Sequence, residues 1–352
     1  MGIRKENFGI TKQGFQASLY ILENQNGVKV KVSDFGAVIV AIETKDKLGV
    51  ASDIVLGYPN VAGYEKNIPN FGACIGRHAN RIGNAEFTLN GITYQLEKND
   101  GKNHLHGGTN GYHRRPWAAE EMDSPLGDAV SFSLYSPDGD QGYPGNLDIT
   151  VTYTLTEDNS LILSYRAVCD KDTILNITNH SYFNLSGHGS GDILKQKVWI
   201  DADYYTDADK ESIPTGEILP VEGTPMDFRQ RKPIGQDIDS TYQAIVYGQG
   251  YDHNWVLKTQ GESKLVACME DVDSGRGLEV YTDLPGLQFY TSNFLDGTEV
   301  GKEGAIYGRR SGACFESQYF PDSIHYKNFP SPILKAGEEF DSQTVFHFYI
   351  VE

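Results

Sequence analysis

The chain has 352 residues, with 48 acidic and 30 basic side chains and a formal net charge of -18. A surface this negative repels phosphate backbones and anionic lipid headgroups, so no nucleic acid and no membrane partner is expected. The first residues, Met-Gly-Ile-Arg-Lys-Glu-Asn, lead into no apolar segment, and no later run approaches the ~20 apolar residues that cross a bilayer. These features predict a soluble, unexported, cytoplasmic protein.

Apolar residues alternate with polar ones along the first regular segments, which predicts half-buried β-strands. Val28, Val30 and Val32 alternate with lysines. Further on, Asn90-Gly91 lies between two strand-like runs and supplies the two positive-φ residues of a type I′ turn. We therefore predict a β-hairpin centred on this dipeptide.

A second hairpin is predicted in the middle of the chain. Alternation over 147–155 is followed by Glu157-Asp-Asn-Ser160, which favours a turn, and resumes over 161–167. No long stretch has apolar residues at helical spacing, and 38 glycines punctuate the chain. Polar insertions such as 100–115 are expected to be surface loops. The pattern predicts an all-β protein, with residues 1–352 forming one large antiparallel β-sandwich domain that has long loops and few short helices.

The four cysteines are far apart in the sequence and form no Cys-x-x-Cys pair. Their spacing and mostly apolar neighbours predict buried free thiols in a reducing compartment. These are Cys74, Cys169, Cys268 and Cys314.

Polar residues that the strand pattern does not require first occur around positions 76–108. Asn80 and Arg81 follow a glycine-rich turn, and Arg81 taken alone could be a surface cation. His104 and His106 flank Leu105, so on a strand they would share one face, a spacing that also suits zinc. No third ligand follows at regular spacing, so no metal is predicted.

Two further candidates have structural explanations that must be weighed first. His180 lies in Thr178-Asn-His-Ser-Tyr-Phe, where a lone histidine is more often a hydrogen-bonded core residue than a catalyst. Asp252, in Tyr-Asp-His-Asn, could simply stabilise a turn through bonds to nearby backbone.

The last candidates lie in two strand-like segments near the C-terminal end. Gln288 should face away from its neighbours Leu287 and Phe289. Glu316 follows the apolar run 313–315, and a buried, unpaired carboxylate is costly unless function or a partner holds it.

Together these residue types suit an uncharged pyranose. Hydrogen-bonding groups would hold the sugar hydroxyls, and aromatic faces such as those of Tyr182, Phe289 and Tyr290 would contact its C–H surface. Opening the ring needs one group to remove the anomeric hydroxyl proton and another to protonate the ring oxygen, tasks that suit a carboxylate and a histidine. Cys314 as a nucleophile is disfavoured, because a hemiacetal has no leaving group for a thiolate to displace.

At this point the sequence resembles the aldose 1-epimerase family, galactose mutarotase type. The motifs occur in family order from about Asp53 to Pro330. They are Gly76-Arg-His-Ala-Asn80-Arg81-Ile, Asn103-His-Leu-His106-Gly-Gly, Gly142-Tyr-Pro-Gly-Asn-Leu147, Thr178-Asn-His180-Ser-Tyr-Phe-Asn-Leu, Ile213-Pro-Thr-Gly-Glu217, Tyr251-Asp252-His-Asn, Gly286-Leu-Gln288-Phe-Tyr-Thr, and Glu316-Ser-Gln with Pro321-Asp322.

The resemblance implies a galactose mutarotase-like supersandwich and an aldohexose substrate, with no cofactor and no metal. Glu316 would be the base at the C1 hydroxyl and His180 the acid at the ring oxygen, with His106 supporting the developing charge. The sugar hydroxyls would be held by Asn80, Arg81, Asp252 and Gln288. A monomer or homodimer is expected.

Two departures from the family pattern bear on substrate preference: Ser323-Ile-His-Tyr326 follows Pro321-Asp322 in place of the usual Ala-Val-Asn, and Ser292 and Ser317 replace the commoner Gly and Thr. The alternatives are a glycoside hydrolase that uses Asp252 and Glu316 as paired carboxylates, and a non-catalytic sugar-binding or sensor module. An epimerase for sugar phosphates, with Arg114, Arg115, Arg229 and Arg231 as candidate cations, ranks low for so acidic a chain.

Overall fold

The structure is a computed structural model that describes residues 2–351. In this range the first half of the chain contains α1 (Val61–Lys66) and fourteen strands. The strands are β1 (Arg4–Ile10), β2 (Gln16–Glu23), β3 (Lys29–Ser33), β4 (Val38–Lys45), β5 (Ala51–Asp53), β6 (Ala73–Ile75), β7 (Arg81–Ile82), β8 (Glu86–Leu89), β9 (Ile92–Gln95), β10 (His104–Leu105), β11 (Ala118–Met122), β12 (Gly127–Ser136), β13 (Leu147–Thr156) and β14 (Ser160–Cys169).

The second half contains α2 (Gln243–Gly248) and fifteen strands. They are β15 (Thr173–Ile174), β16 (Thr178–His180), β17 (Lys197–Ile200), β18 (Tyr204–Ala208), β19 (Pro214–Pro220), β20 (Lys232–Pro233), β21 (Asp252–Val256), β22 (Lys264–Asp271), β23 (Arg276–Thr282), β24 (Gly286–Tyr290), β25 (Glu299–Val300), β26 (Ile306–Tyr307), β27 (Cys314–Gln318), β28 (Ile333–Leu334) and β29 (Glu339–Ile350). Six 3₁₀ turns lie at Gly83–Ala85, Tyr112–Arg114, Asp140–Gly142, Ile234–Gln236, Lys302–Gly304 and Ser323–His325.

The all-β prediction is confirmed. The largest sheet has nine strands in the order β11-β12-β13-β14-β29-β23-β22-β17-β20. A five-stranded sheet runs β1 to β5 in sequence order, and a second five-stranded sheet has the order β19-β18-β21-β24-β27. Neighbouring strands in these sheets are antiparallel. None of the helices within residues 2–351 is long and apolar enough to cross a membrane.

Both predicted hairpins are confirmed. β8 pairs with β9 across Asn90 and Gly91, whose φ angles of 52° and 78° are those of a type I′ turn. β13 pairs with β14, and Leu155 lies opposite Leu161 next to the turn. Turn chemistry read from neighbouring residues therefore fixed the register of these pairs.

One large apolar core lies beneath the sheets and includes residues from both halves of the chain, such as Val30, Tyr153, Trp255 and Phe346. All four cysteines are buried free thiols, as predicted. The surface-loop prediction for 100–115 is wrong in part, because His104 is fully buried in this segment. The His104 imidazole contacts the Glu97 carbonyl and packs edge-on against the Tyr143 ring.

Candidate active site

Three neighbouring strands of the β19–β27 sheet present polar side chains to one cleft. Gln288 in β24 lies directly opposite Glu316 in β27, so the two share a face of the sheet. The Gln288 side-chain amide donates a hydrogen bond to Oδ1 of Asp252, the first residue of β21, over 2.7 Å. Strand alternation turns Leu287 and Phe289 to the opposite face, where both are buried in the core. The prediction that Phe289 contacts the sugar is therefore wrong.

His180 reaches the same cleft from the end of β16. Backbone hydrogen bonds in both directions join Phe183 to Ala313, at 2.7 and 2.9 Å. The bridge is antiparallel. His180 lies three residues before Phe183, and Glu316 lies three residues after Ala313. The same register therefore brings the imidazole to the carboxylate, and His180 Nε2 lies 3.6 Å from Glu316 Oε1.

Glu316 is nearly fully buried, and its second carboxylate oxygen has no hydrogen-bond partner among the described residues. Burial raises the pKa of this carboxyl well above its usual value, and the nearby charge of Asp252 raises it further, while Arg81 opposes the shift. A carboxylate with a raised pKa is a stronger base than one in water, which suits proton removal from a hydroxyl.

Burial acts in the opposite direction on His180 and lowers its pKa to about 4. With the histidine pKa lowered and the carboxyl pKa raised, the pair holds one dissociable proton over a wide pH range. That proton can stay on Glu316 or move to Nε2 of His180. The arrangement therefore contains both an acid and a base with one proton between them.

His106 also lines the cleft, and the position of its ring proton is fixed. Its φ of 52° ends the extended conformation after β10, so the expectation that His104 and His106 share one strand face is wrong. The Asn80 backbone N–H donates to His106 Nδ1 over 3.1 Å, which leaves the ring proton on Nε2. Burial also lowers the pKa of His106 well below its usual value. His106 is thus a neutral hydrogen-bond donor.

The hydrogen bond to Nδ1 also bears on metal binding. His106, His180 and Glu316 offer ligand atoms within 4.8 Å of one another. A metal on Nε2 of His106 would need that lone pair while Nδ1 still accepts the Asn80 N–H, which a neutral imidazole cannot provide. The geometry therefore favours proton chemistry at these three residues over metal ligation.

Asn80 and Arg81 complete the polar side of the cleft. Asn80 has a left-handed φ of 62°, and its side-chain oxygen accepts the Arg81 backbone N–H over 2.8 Å. The Arg81 guanidinium donates through Nε to Asp100 over 2.8 Å and lines the cleft. An ion pair therefore holds Arg81 in place, and the interpretation of Arg81 as only a surface cation is wrong.

The cleft has a volume of about 710 Å³, including solvent at its mouth, and combines these polar groups with aromatic walls. Tyr182 stacks on the His180 ring at 5.0 Å between centroids, and its hydroxyl donates to the Pro69 carbonyl over 2.7 Å. Tyr290 and Phe294 line the cleft as a stacked pair. All seven predicted site residues line it: Asn80, Arg81, His106, His180, Asp252, Gln288 and Glu316.

Sequence reasoning missed one wall of the cleft and one contact. The loop residues Ile68, Pro69 and Asn70 line the cleft, and no periodic or motif signal marks them in the sequence. Cys314 lies with its sulfur 3.5 Å from His180 Nδ1. Its position two residues before Glu316 could have indicated that both side chains face the same way.

Comparison with known proteins agrees with this geometry. The family model described as aldose 1-epimerase matches residues 18–347. The chain is 45% identical to galactose mutarotase of Bos taurus over 323 residues, which is 92% of each protein. It is 37% identical to aldose 1-epimerase of Escherichia coli over 348 residues, covering 97% of this chain and 98% of that protein.

Solved structures give the same result. A GalM/aldose epimerase homologue from C. elegans superposes with a TM-score of 0.87 at 30% identity, over 96% of this chain and 100% of that chain. Galactose 1-epimerase from Lactobacillus acidophilus superposes with a TM-score of 0.88 at 28% identity, over the whole of both chains. The supersandwich architecture expected from the resemblance is thus confirmed, and the chain belongs to the aldose 1-epimerase family.

Proposed function

We propose that this protein is an aldose 1-epimerase of the galactose mutarotase type, which interconverts the α and β anomers of D-galactose and D-glucose. The observation that carries the proposal is the buried pair of His180 Nε2 and Glu316 Oε1, 3.6 Å apart in a cleft lined by hydrogen-bonding groups. The curated relatives named galactose mutarotase and aldose 1-epimerase support the same activity.

In the productive form Glu316 is ionised and the shared proton is on His180. Glu316 removes the proton of the C1 hydroxyl, the C1–ring oxygen bond breaks, and Nε2 of His180 protonates the departing ring oxygen. The C1 carbonyl forms, and the enzyme is left with a protonated Glu316 and a neutral His180. One proton has passed from His180 to the ring oxygen and another from the C1 hydroxyl to Glu316, so the pair still holds one proton.

Ring closure reverses these roles. Once the C1–C2 bond has rotated, His180 takes the proton of the C5 hydroxyl as its oxygen attacks C1, and Glu316 returns a proton to the former carbonyl oxygen. The fixed N–H of His106 is suited to stabilise negative charge that develops on oxygen during either step. Each turnover restores the starting protonation state without any cofactor.

The remaining cleft residues are proposed to bind the sugar hydroxyls. Asp252 and Gln288 hydrogen-bond each other and can accept from and donate to neighbouring hydroxyls. Arg81 and Asn80 offer further donors, and Tyr182 and Tyr290 offer aromatic faces for the C–H surface. We further propose one domain over residues 1–352, a cytoplasmic location, which the four free thiols suit, and a monomeric or homodimeric state.

Polarimetry with freshly dissolved α-D-glucose and α-D-galactose tests the proposal. The protein should accelerate the approach to the equilibrium rotation. Glu316→Gln and His180→Asn should each lower the rate by about 100-fold or more, because each removes one partner in proton transfer. Circular dichroism should be unchanged in both variants.

Near-normal rates in either variant would remove that residue from the mechanism. Release of a reducing sugar from an aryl glycoside would instead support the hydrolase alternative, which the named relatives do not favour.

A further inference from the structure

We propose that Cys314 is a positioning residue whose sulfur accepts the Nδ1–H of His180, so that proton exchange with the sugar is confined to Nε2. The inference rests on the proposed function and adds a residue to its machinery. Cys314 Sγ lies 3.5 Å from His180 Nδ1, and both groups are buried.

Two side chains of β27 contact the two imidazole nitrogens of His180. Cys314 and Glu316 are two residues apart in β27, so their side chains project from the same face. Cys314 meets Nδ1 and Glu316 meets Nε2, while Tyr182 stacks against the ring face with an interplanar angle of 24°. The ring is therefore held at both edges and on one face, which leaves Nε2 directed at the reacting atoms.

A neutral sulfur at Nδ1 has a different effect from a carboxylate. Burial raises the pKa of the Cys314 thiol well above its usual value, with a further contribution from Glu316, so the thiol stays uncharged. A carboxylate at Nδ1 would stabilise the imidazolium and weaken the histidine as an acid. A thiol accepts the N–H weakly, orients the ring and leaves the acidity of Nε2 high.

The two histidines of the site then carry their protons on opposite nitrogens. His106 accepts a backbone N–H at Nδ1 and keeps its proton on Nε2. His180 keeps its proton on Nδ1 and exchanges the one on Nε2. The difference follows from the partner at Nδ1: the Asn80 backbone N–H donates to His106, whereas the Cys314 sulfur accepts from His180.

Nitrogen-15 NMR of the full chain labelled at histidine tests the assignment. Neutral His180, identified by the loss of its signals in His180→Asn, should show Nδ1 protonated and Nε2 unprotonated. Cys314→Ala should lose this tautomer preference and lower kcat by about 5- to 10-fold, the effect expected of one hydrogen bond, with KM changed by less than about twofold. Cys314→Ser, which keeps an acceptor, should restore most of both.

The matched control is Cys169→Ala, the same substitution at a buried thiol that does not line the cleft, and it should change neither the tautomer nor kcat. A wild-type His180 protonated on Nε2 alone would overturn the inference, as would a Cys314→Ala variant with the wild-type tautomer and rate. A wild-type protein that shows the expected tautomer but does not accelerate mutarotation would instead refute the proposed function.

Discussion

Glu316 and His180 owe their chemistry to the same cause, which is burial at the base of one cleft. Removal from water disfavours the charged form of each group, so the carboxyl becomes a better base and the imidazolium a stronger acid. Glu316 can act as a base only when it is ionised, and His180 can act as an acid only when its Nε2 is protonated. Their separation of 3.6 Å lets one proton serve both.

The first prediction concerns pH. The pair should be productive while it holds one proton, so kcat/KM for D-galactose should follow a bell-shaped profile. Its acid limb should fall near the lowered His180 pKa of about 4, because below it both groups are protonated and no ionised Glu316 is left to act as base. Its basic limb should lie well above the usual glutamate pKa, where the pair loses its last proton.

Polarimetry over roughly pH 3 to 10, corrected for the buffer-catalysed rate, gives this profile. A rate that falls steadily as the pH is lowered from neutral, and is lost well before a pH of about 4 is reached, would contradict the shared-proton mechanism.

The second prediction isolates the influence of Asp252 on Glu316. Asp252→Asn removes a negative charge that raises the Glu316 pKa, so the basic limb should move to lower pH. KM should rise as well, because Asp252 is proposed to bind a sugar hydroxyl. The control is Asp123→Asn, which makes the same charge change at an exposed position and should leave both the limb and KM unaltered. A basic limb that stays in place would mean that burial alone sets the Glu316 pKa.

Backbone pairing between short elements sets the geometry of the site. The Phe183–Ala313 bridge fixes the register of the His180 segment against β27, and β24 fixes Gln288 against Glu316. The segment after β10 turns with positive φ at His106 and Gly107. Local backbone conformation therefore decides where each functional side chain points.

The third prediction concerns this turn. Gly107 has a φ of 77°, and a Cβ at this position would overlap the Gly76 carbonyl oxygen, so Gly107→Ala must displace one of the two backbone segments. Gly91 has nearly the same φ, 78°, with open space around it. Gly91→Ala should lower the free energy of unfolding by about 1 kcal/mol, because alanine is disfavoured in the left-handed backbone conformation. Its activity should be unchanged.

Gly107→Ala should cost more than this and also lower kcat, because His106 is the adjacent residue. Urea unfolding and polarimetry of the two variants make the comparison. Equal behaviour of the two alanine variants would show that the close approach to Gly76 has no bearing on the site.

The sequence predicted elements well where the determinants are local. Asn90-Gly91 specifies its own turn, and β13 and β14 are joined by a short turn. The seven site residues were predicted because motifs mark them, and they do line one cleft. Their catalytic and binding roles remain predictions that the experiments above test.

What the sequence could not provide depends on non-local pairing. Alternation placed Gln288 and Phe289 on opposite faces of a strand, but it could not show which face is buried, because that depends on the neighbouring strands. The same limit applies to His106, whose tautomer is set by a backbone N–H 26 residues away in the chain.

At the scale of the whole molecule, β29 joins the two halves of the nine-stranded sheet. It lies between β14 and β23 and pairs with both. Phe346 in this strand stands opposite Leu161 on one side and Val280 on the other, and its ring packs on Phe183 at 5.0 Å. Both halves thus depend on the same strand, which supports the proposal of one domain.

The fourth prediction follows from this position. Phe346→Ala should lower the free energy of unfolding by about 3–5 kcal/mol, the usual cost of deleting a buried aromatic ring. Tryptophan fluorescence and far-UV circular dichroism should shift together in urea, since Trp117, Trp199 and Trp255 are spread over the chain. Ile350→Ala, in the same strand but exposed, should cost less than about 0.5 kcal/mol. Two separate transitions would argue for two independently folding units.

The central place of β29 also has a consequence for synthesis on the ribosome. During translation β14 and β23 are both made before the strand that separates them, so each retains an unpaired edge until residues 339–350 have emerged from the exit tunnel. Exposed strand edges are templates for intermolecular pairing. The nascent chain should therefore need protection from aggregation until β29 is available to pair with both strands.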